Sequence, residues 1–370
     1  MIIAGDISWL QAVVLGLLQG LTEFLPVSST AHIALASRLM YGADAGAAFS
    51  AVVQLGPIVA ILLYFRSDLI RYVQGMMRTG SPGKAITTDD TDAKLGWFTL
   101  FGTVPLAVAG LLLEHKVDTS FRKPSVMGIF LILLALIMLA AERYGKRNRD
   151  LEQITFADSQ KIGWAQALAL VPGASRSGVT ITAGMFLGLD RESATRFSFL
   201  LSIPAITAAG LYKLIKVMKH TGLGGEAPAY VFAAIVAGAV AYIVIKWFLG
   251  YMKQHNTNLF IVYRIALGVL LLGLVATHKI SNAPPAPEPA KEIITQSHKV
   301  NKCPEYIATK SAKGTELEQQ ADRWSTYFQS ETVLGGSLRE RTTTRYFASH
   351  HKYRGSIPPA SYPLNLVYLV

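Results

Sequence analysis

The chain has 370 residues, of which 51% are hydrophobic and only 16% charged, with a formal net charge of +11. About a quarter of a soluble domain's residues are charged, so this composition excludes an ordinary soluble protein and fits a multi-span membrane protein. Cytoplasmic loops account for the excess of cations; no basic stripe interleaved with aromatics points to nucleic acid, and the single cysteine, Cys303, excludes an intrachain disulfide or a Cys-built metal site.

The first apolar run, residues 9–22, makes about 21 Å of helix, too short for a hydrocarbon core about 30 Å thick. It has no basic n-region before it and no small-residue cleavage site after it, so it reads as mature protein. The run stops at Pro26, and a second short run starts at Ile33. Two half-length helices joined by a polar turn predict a re-entrant hairpin, which membranes tolerate only where protein or a cavity surrounds it.

Three full spans are predicted next, at 47–65, 95–113 and 125–141. Arg66, Arg71, Arg78 and a polar loop 79–92 follow the first, a short turn 114–124 the second, and Glu142, Arg143, Lys146, Arg147 and Arg149 the third. A polar surface stretch, 150–161, leads to a second short run, 162–171, which ends at Pro172. A polar turn and a short piece to Leu189 complete a second hairpin, before spans at 197–215, 230–248 and 259–276.

The halves share short matches in the same order. Ile7-x-Trp9-x-Gln11-Ala12 recurs as Ile162-x-Trp164-x-Gln166-Ala167, and Phe49-Ser50…Pro57-Ile58 as Phe197-Ser198…Pro204-Ala205-Ile206. Three spans per half is an odd number, so the second copy must start from the opposite side of the bilayer. The expected fold is an all-α integral membrane protein with an inverted repeat, each half a re-entrant helical hairpin plus three transmembrane helices. Lys and Arg are more frequent on the side of the loops after spans one, three and five, which puts both termini on the non-cytoplasmic side. The expected domains are 1–280 in the membrane and a polar, Pro-containing extension, 281–370, that is disordered or weakly ordered.

The first polar turn lies in Gln19-Gly-Leu-Thr-Glu23-Phe-Leu-Pro26-Val-Ser28-Ser29-Thr30-Ala-His32. Gln19 and Glu23 share a helix face. Ser28, Ser29 and Thr30 suit the N-cap of the next helix, and a helix N-terminus attracts phosphate or carboxylate. His32 lies three residues past Ser29, so an activated hydroxyl–imidazole pair is within reach. Glu23 can hold Mg²⁺ together with substrate phosphates. The second turn, Pro172-Gly-Ala-Ser175-Arg176-Ser177-Gly-Val-Thr180, adds hydroxyls and a guanidinium fork for phosphate. Structural readings compete: plain caps at Ser28, Ser29 and Thr30, a buried Glu23–Arg176 pair in the empty state, and Gln54 as an interhelical hydrogen-bond partner. Facing each other, the two turns supply the charge neutralisation and positioning that phosphoryl transfer needs.

These two runs resemble the signature motifs of the undecaprenyl-diphosphate phosphatase (bacitracin-resistance) family, and the similarity spans about residues 5–278. The resemblance implies an enzyme of the bacterial inner membrane that hydrolyses undecaprenyl diphosphate to undecaprenyl phosphate and inorganic phosphate. Such an enzyme recycles the carrier for peptidoglycan synthesis and confers bacitracin resistance. It also implies Glu23 as metal or catalytic carboxylate, Ser29 as nucleophile, His32 as its acid/base partner and Arg176 as phosphate clamp. Gln19, Ser28, Thr30, Ser175, Ser177 and Thr180 would bind substrate. A divalent cation, Mg²⁺ or Ca²⁺, would sit at Glu23; Gln19 leaves the motif a single carboxylate for it. The expected partners are an isoprenoid lipid diphosphate, membrane lipids and a second copy of the chain, without nucleic acid. A transporter or flippase of an anionic isoprenoid lipid is the alternative, since broken helices and inverted repeats also build carriers.

Overall fold

Short helices with polar ends open the chain, and longer apolar ones follow. The computed structural model describes residues 8–41, 45, 47–87, 89–118, 121–220 and 222–283. Among these there are thirteen α-helices and no strand, and all lie in one compact unit.

The first hairpin is α1 (Trp9–Thr22) and α2 (Ser29–Tyr41). A reciprocal capping box of Ser8 and Gln11 starts α1. Its buried face carries Gly16 and Gly20, where a Cβ would lie 2.6 Å from the Ala233 carbonyl oxygen and 2.5 Å from that of Ala237. Small residues therefore let α1 seat directly on α12 (Ala227–Gln254). Then come α3 (Ala47–Val53), α4 (Leu55–Tyr64), α5 (Arg66–Thr79) and α6 (Pro82–Thr87). The expected span 47–65 is thus interrupted at Gln54, and the chain bends by 71° where Ala48–Tyr64 meets α5.

The stretch containing Arg66, Arg71 and Arg78, which follows the expected span, is helical, and the expected polar loop 79–92 holds the short helix α6. Helix α5 buries Tyr72 and Gly75 while Ile70, Val73 and Met77 stay exposed. Two of its three arginines are held by acids, Arg71 by Asp68 and Asp92 and Arg78 by Asp90, while Arg66 donates to the Leu63 carbonyl. The Ala93 N–H and the Arg78 guanidinium hold the Asp90 carboxyl below the usual carboxylate range.

The remaining helices are α7 (Thr91–Asp118), α8 (Pro124–Tyr144), α9 (Phe156–Gln166), α10 (Arg176–Phe186), α11 (Arg191–His220), α12 and α13 (Asn258–Ala276). α9 begins inside the stretch expected to be polar surface, because Thr155 and Asp158 form a capping box there. Five helices (in α7, α8, α11, α12 and α13) are long and apolar enough to cross a membrane; the bent pair, Ala48–Tyr64 with α5, makes a sixth candidate. The expected multi-pass helical class is therefore present. The expected extension 281–370 lies, from residue 284 onward, outside the described residues.

The core beneath the first turn is aromatic. Phe24 is fully buried and packs edge-on against Phe199 of α11 at 5.3 Å, and Phe199 in turn meets Phe65 and Phe248. On the other side, α8 lies along α13, and Glu142 at the end of α8 accepts from Arg147, Arg191 and the Thr257 hydroxyl.

Candidate active site between two serine-capped turns

Each hairpin breaks at a proline and restarts at a serine. After α1, residues 23–27 turn, and Ser28 takes the left-handed conformation at φ 71° before α2 begins at Ser29. After the short 3-10 turn Ala167–Leu170, Ser175 takes φ 67° before α10 begins at Arg176. A non-glycine residue there costs about 1–3 kcal/mol and persists only where its surroundings enforce it. The Ser175 hydroxyl caps α10 by accepting the Gly178 N–H at 3.2 Å; the Ser28 hydroxyl accepts the Ala31 N–H at a longer 3.5 Å. The second turn also needs Gly173: at φ 96°, a Cβ would sit 2.5 Å from the Met127 carbonyl oxygen.

The first residues of α2 and α10 meet on one carboxylate. Ser29 Oγ donates to Glu23 Oε2 at 2.8 Å, and Arg176 Nη2 donates to Glu23 Oε1 at 2.9 Å. Gln19 Nε2 reaches Oε2 at 2.9 Å and Gln54 Nε2 reaches Oε1 at 3.1 Å. Gln19 Nε2 also donates to Gln54 Oε1 at 2.9 Å. Both carboxylate oxygens are thus engaged twice. The expected Glu23–Arg176 pair and the expected interhelical role of Gln54 are both present. Arg176 Nη1, by contrast, is buried with no partner, an open donor that would be costly without a ligand to take it up.

A cavity of about 180 Å³ opens here, lined by Gln19, Glu23, Ser28, Ser29, Thr30, Gln54, Ser175 and Arg176, among others. Arg122 and Lys213, unforeseen in the sequence, also line it, as do apolar Ile33, Phe49, Val53, Leu106, Met127 and Ile206. Positive groups, hydroxyls and one carboxylate on one wall with an apolar remainder suit an anionic head group on a hydrocarbon body.

Three expected site residues do not line it. Ser177 Oγ donates to the Leu25 carbonyl at 2.9 Å, tying the second turn to the first. Thr180 bonds the Arg176 carbonyl at 2.8 Å and Ser198 Oγ at 2.6 Å. Both support the site from behind. His32 does not pair with Ser29: its Nδ1 lies 2.7 Å from the Ser28 carbonyl oxygen and its Nε2 2.6 Å from Tyr263 Oη. Spacing put Ser29 and His32 on one face, but the serine turns to Glu23 and the imidazole turns back to its own turn and across to α13.

Residues 12–270 match the family model described as "Bacitracin resistance protein BacA". The chain belongs to the BacA family. It is 45% identical over 273 residues to an undecaprenyl-diphosphatase of Mycobacterium sp. (strain KMS), covering 73% of this chain and 98% of that protein. Similar matches are the undecaprenyl-diphosphatases of Mycolicibacterium smegmatis, 45% identical over 272 residues with the same two coverages, 73% and 98%, and of Chloroherpeton thalassium, 42% identical over 283 residues, again covering 73% and 98%.

The chain also carries a residue that sequence reading missed. Arg264 of α13 is fully buried, and its partners are main-chain carbonyls: Pro26 of the first turn at 3.1 Å, Ala174 of the second at 2.9 Å and Leu131 of α8 at 3.3 Å, with Gly173 at a longer 3.5 Å. One guanidinium thus binds both turns. The signal was a lone arginine inside an otherwise apolar span, where an ionisable group marks a working site by default.

The donor set also bears on a cation. Among the described residues no three His, Cys, Asp or Glu cluster, and Glu23 is the one carboxylate on the cavity wall. This does not fit a cage made wholly of protein. It fits Mg²⁺ shared with a diphosphate, which commonly uses one or two carboxylates plus phosphate oxygens; Glu23 is the carboxylate that would hold it, while the Gln54 amide oxygen beside it accepts from Gln19.

Proposed function

We propose that this chain is an integral membrane undecaprenyl-diphosphatase, releasing inorganic phosphate from the terminal position of the lipid diphosphate. The observation that carries the reading is the unpartnered Arg176 Nη1 beside the Ser29–Glu23 pair. An anion clamp, a nucleophile and a proton acceptor then sit on one wall. The family match and the names of the relatives support the substrate.

In this reading Arg176 takes an oxygen of the terminal phosphate, and the free N–H groups at the starts of α2 and α10 add positive potential. Ser29 Oγ attacks the terminal phosphorus as its proton passes to Glu23 Oε2. The bond from that phosphorus to the bridging oxygen breaks, and the electron pair leaves with the isoprenyl phosphate. Water then attacks the phosphoserine, the Ser29 Oγ–phosphorus bond breaks as Glu23 returns its proton to Oγ, and the water's proton leaves with the released phosphate. A divalent cation held by Glu23 and the diphosphate would supply charge neutralisation. His32 anchors the Ser28 carbonyl, and with it the turn that presents Ser29, where the charge of its ring adds to the local potential. The meeting of the two turns supports an inverted repeat within the same reading, and the cation bias of the loops supports termini on the non-cytoplasmic side of the inner membrane.

The test is phosphate release by the detergent-purified full chain. Ser29→Ala or Arg176→Ala should lower turnover by about two orders of magnitude or more, as loss of a transition-state donor does. A carrier would release no phosphate at all, and wild-type turnover in both variants would end the assignment.

A further inference from the structure

The reading above leaves His32 without a contact to Ser29, and the ring's actual contacts say what holds it. A carbonyl oxygen only accepts, so the 2.7 Å contact from Nδ1 to Ser28 O fixes the proton on Nδ1. Nε2 then presents its lone pair, and the Tyr263 hydroxyl meets it at 2.6 Å. The two rings are parallel, 3° apart in plane with centroids 5.6 Å apart. Among the described residues no other side chain hydrogen-bonds the imidazole. The charged groups nearby are committed elsewhere: Glu23 to Arg176, and Arg264, next to Tyr263 on α13, to carbonyls.

A tyrosine hydroxyl can donate to neutral Nε2 and accept from the protonated ring's Nε2–H. His32 can therefore change charge while keeping both contacts, which a buried ring surrounded only by apolar groups could not do. Tyr263 itself is 44% exposed on α13, so its hydroxyl lies between a buried imidazole and the outside of the bundle.

We infer that Tyr263 is a positioning residue for the phosphatase reaction: its hydroxyl holds the Nε2 edge of the His32 ring and, through the Ser28 carbonyl at Nδ1, the turn that presents Ser29. This rests on the proposed phosphatase reading but adds a residue outside both motifs, 231 positions from the histidine it holds.

Tyr263→Phe keeps the ring and removes only the hydroxyl. With the full chain in detergent and undecaprenyl diphosphate as substrate, kcat should fall about tenfold, the worth of one buried hydrogen bond, with KM within about twofold. Without its oxygen partner the buried imidazolium is harder to form, so the acidic limb of the pH–rate profile should move down by about one pH unit. Deuterium exchange at the His32 C2 position, followed against pH by mass spectrometry, should shift the same way. It reads the ring's protonation without turnover, so it judges the pairing even if no phosphate is released and the phosphatase reading fails. Wild-type kcat in Tyr263→Phe would overturn the inference. So would a general loss of activity and melting temperature with the pH limb and the exchange midpoint unmoved, since that marks a merely structural ring.

Discussion

Arg264→Met is the variant that most directly tests how the site is assembled. The native guanidinium bonds the carbonyls of Pro26, Ala174 and Leu131, and Met fills similar volume with no donor. Three buried carbonyls would lose their charged partner, at about 1–3 kcal/mol each, so the gross loss is roughly 3–9 kcal/mol. Against this, the variant no longer buries an uncompensated cation, whose effective cost is also several kcal/mol. The two large terms nearly cancel in global stability, and melting should fall by only a few degrees. They do not cancel in geometry. Two of the three carbonyls belong to the catalytic turns, and a misplacement of about 1 Å can cost about 100-fold in rate. The expected outcome is a loss of about two orders of magnitude in kcat/KM for phosphate release, with modest change in thermal melting followed by tryptophan fluorescence. Arg264→Lys, with three donors on one point charge instead of a fork, should fall between. Full activity in Arg264→Met would refute the view that this residue sets the spacing of the turns.

Other outcomes follow from the same contacts. Arg176→Lys keeps the charge but cannot bond Glu23 with one nitrogen while offering a second to phosphate, so kcat/KM should drop about tenfold or more, read by phosphate release. Glu23→Gln keeps an acceptor but removes the base for Ser29 and leaves Arg176 unneutralised; turnover should fall at least about 100-fold, and added Mg²⁺ should not restore it. A chelator should suppress wild-type turnover reversibly if the cation is shared between Glu23 and the diphosphate; chelator-resistant turnover would remove the cation from the scheme.

Much of this site was legible in the residues. Pro26 and Pro172 cut short apolar runs, which gave the two broken hairpins, and the polar groups clustered at those breaks gave Glu23, Ser29 and Arg176. Gln54 and the Glu23–Arg176 pair followed from asking what a buried amide or carboxylate must bond. What escaped did so for definite reasons. Helix α5 was hidden by its arginines, which end the apolar run at Phe65; Asp68, Asp90 and Asp92 neutralise two of them. The Ser29–His32 pairing failed because spacing fixes the direction of Cβ and not the rotamer. Arg264 escaped because its partners are carbonyls, which a search for opposite charges cannot find. Tyr263 carries no local signal at all, since its meaning depends on the fold bringing α13 against α2.

The arrangement around Glu23 explains why one carboxylate can serve where more might be expected. Arg176 spends only Nη2 on Glu23 and keeps Nη1 open. A phosphate can therefore be taken up without first breaking the ion pair, and the buried acid is never left unpaired in a low-dielectric site, where that would be costly. The same carboxylate accepts the Ser29 proton through its other oxygen. Ser29 and Arg176 are thus referenced to a single group, whose position is in turn set by Gln19 and by Gln54. On the proposed reading, anion binding at Nη1 draws the guanidinium toward phosphate and weakens its hold on Oε1. That makes Glu23 a stronger base when the substrate is in place, and a weaker one when the cavity is empty.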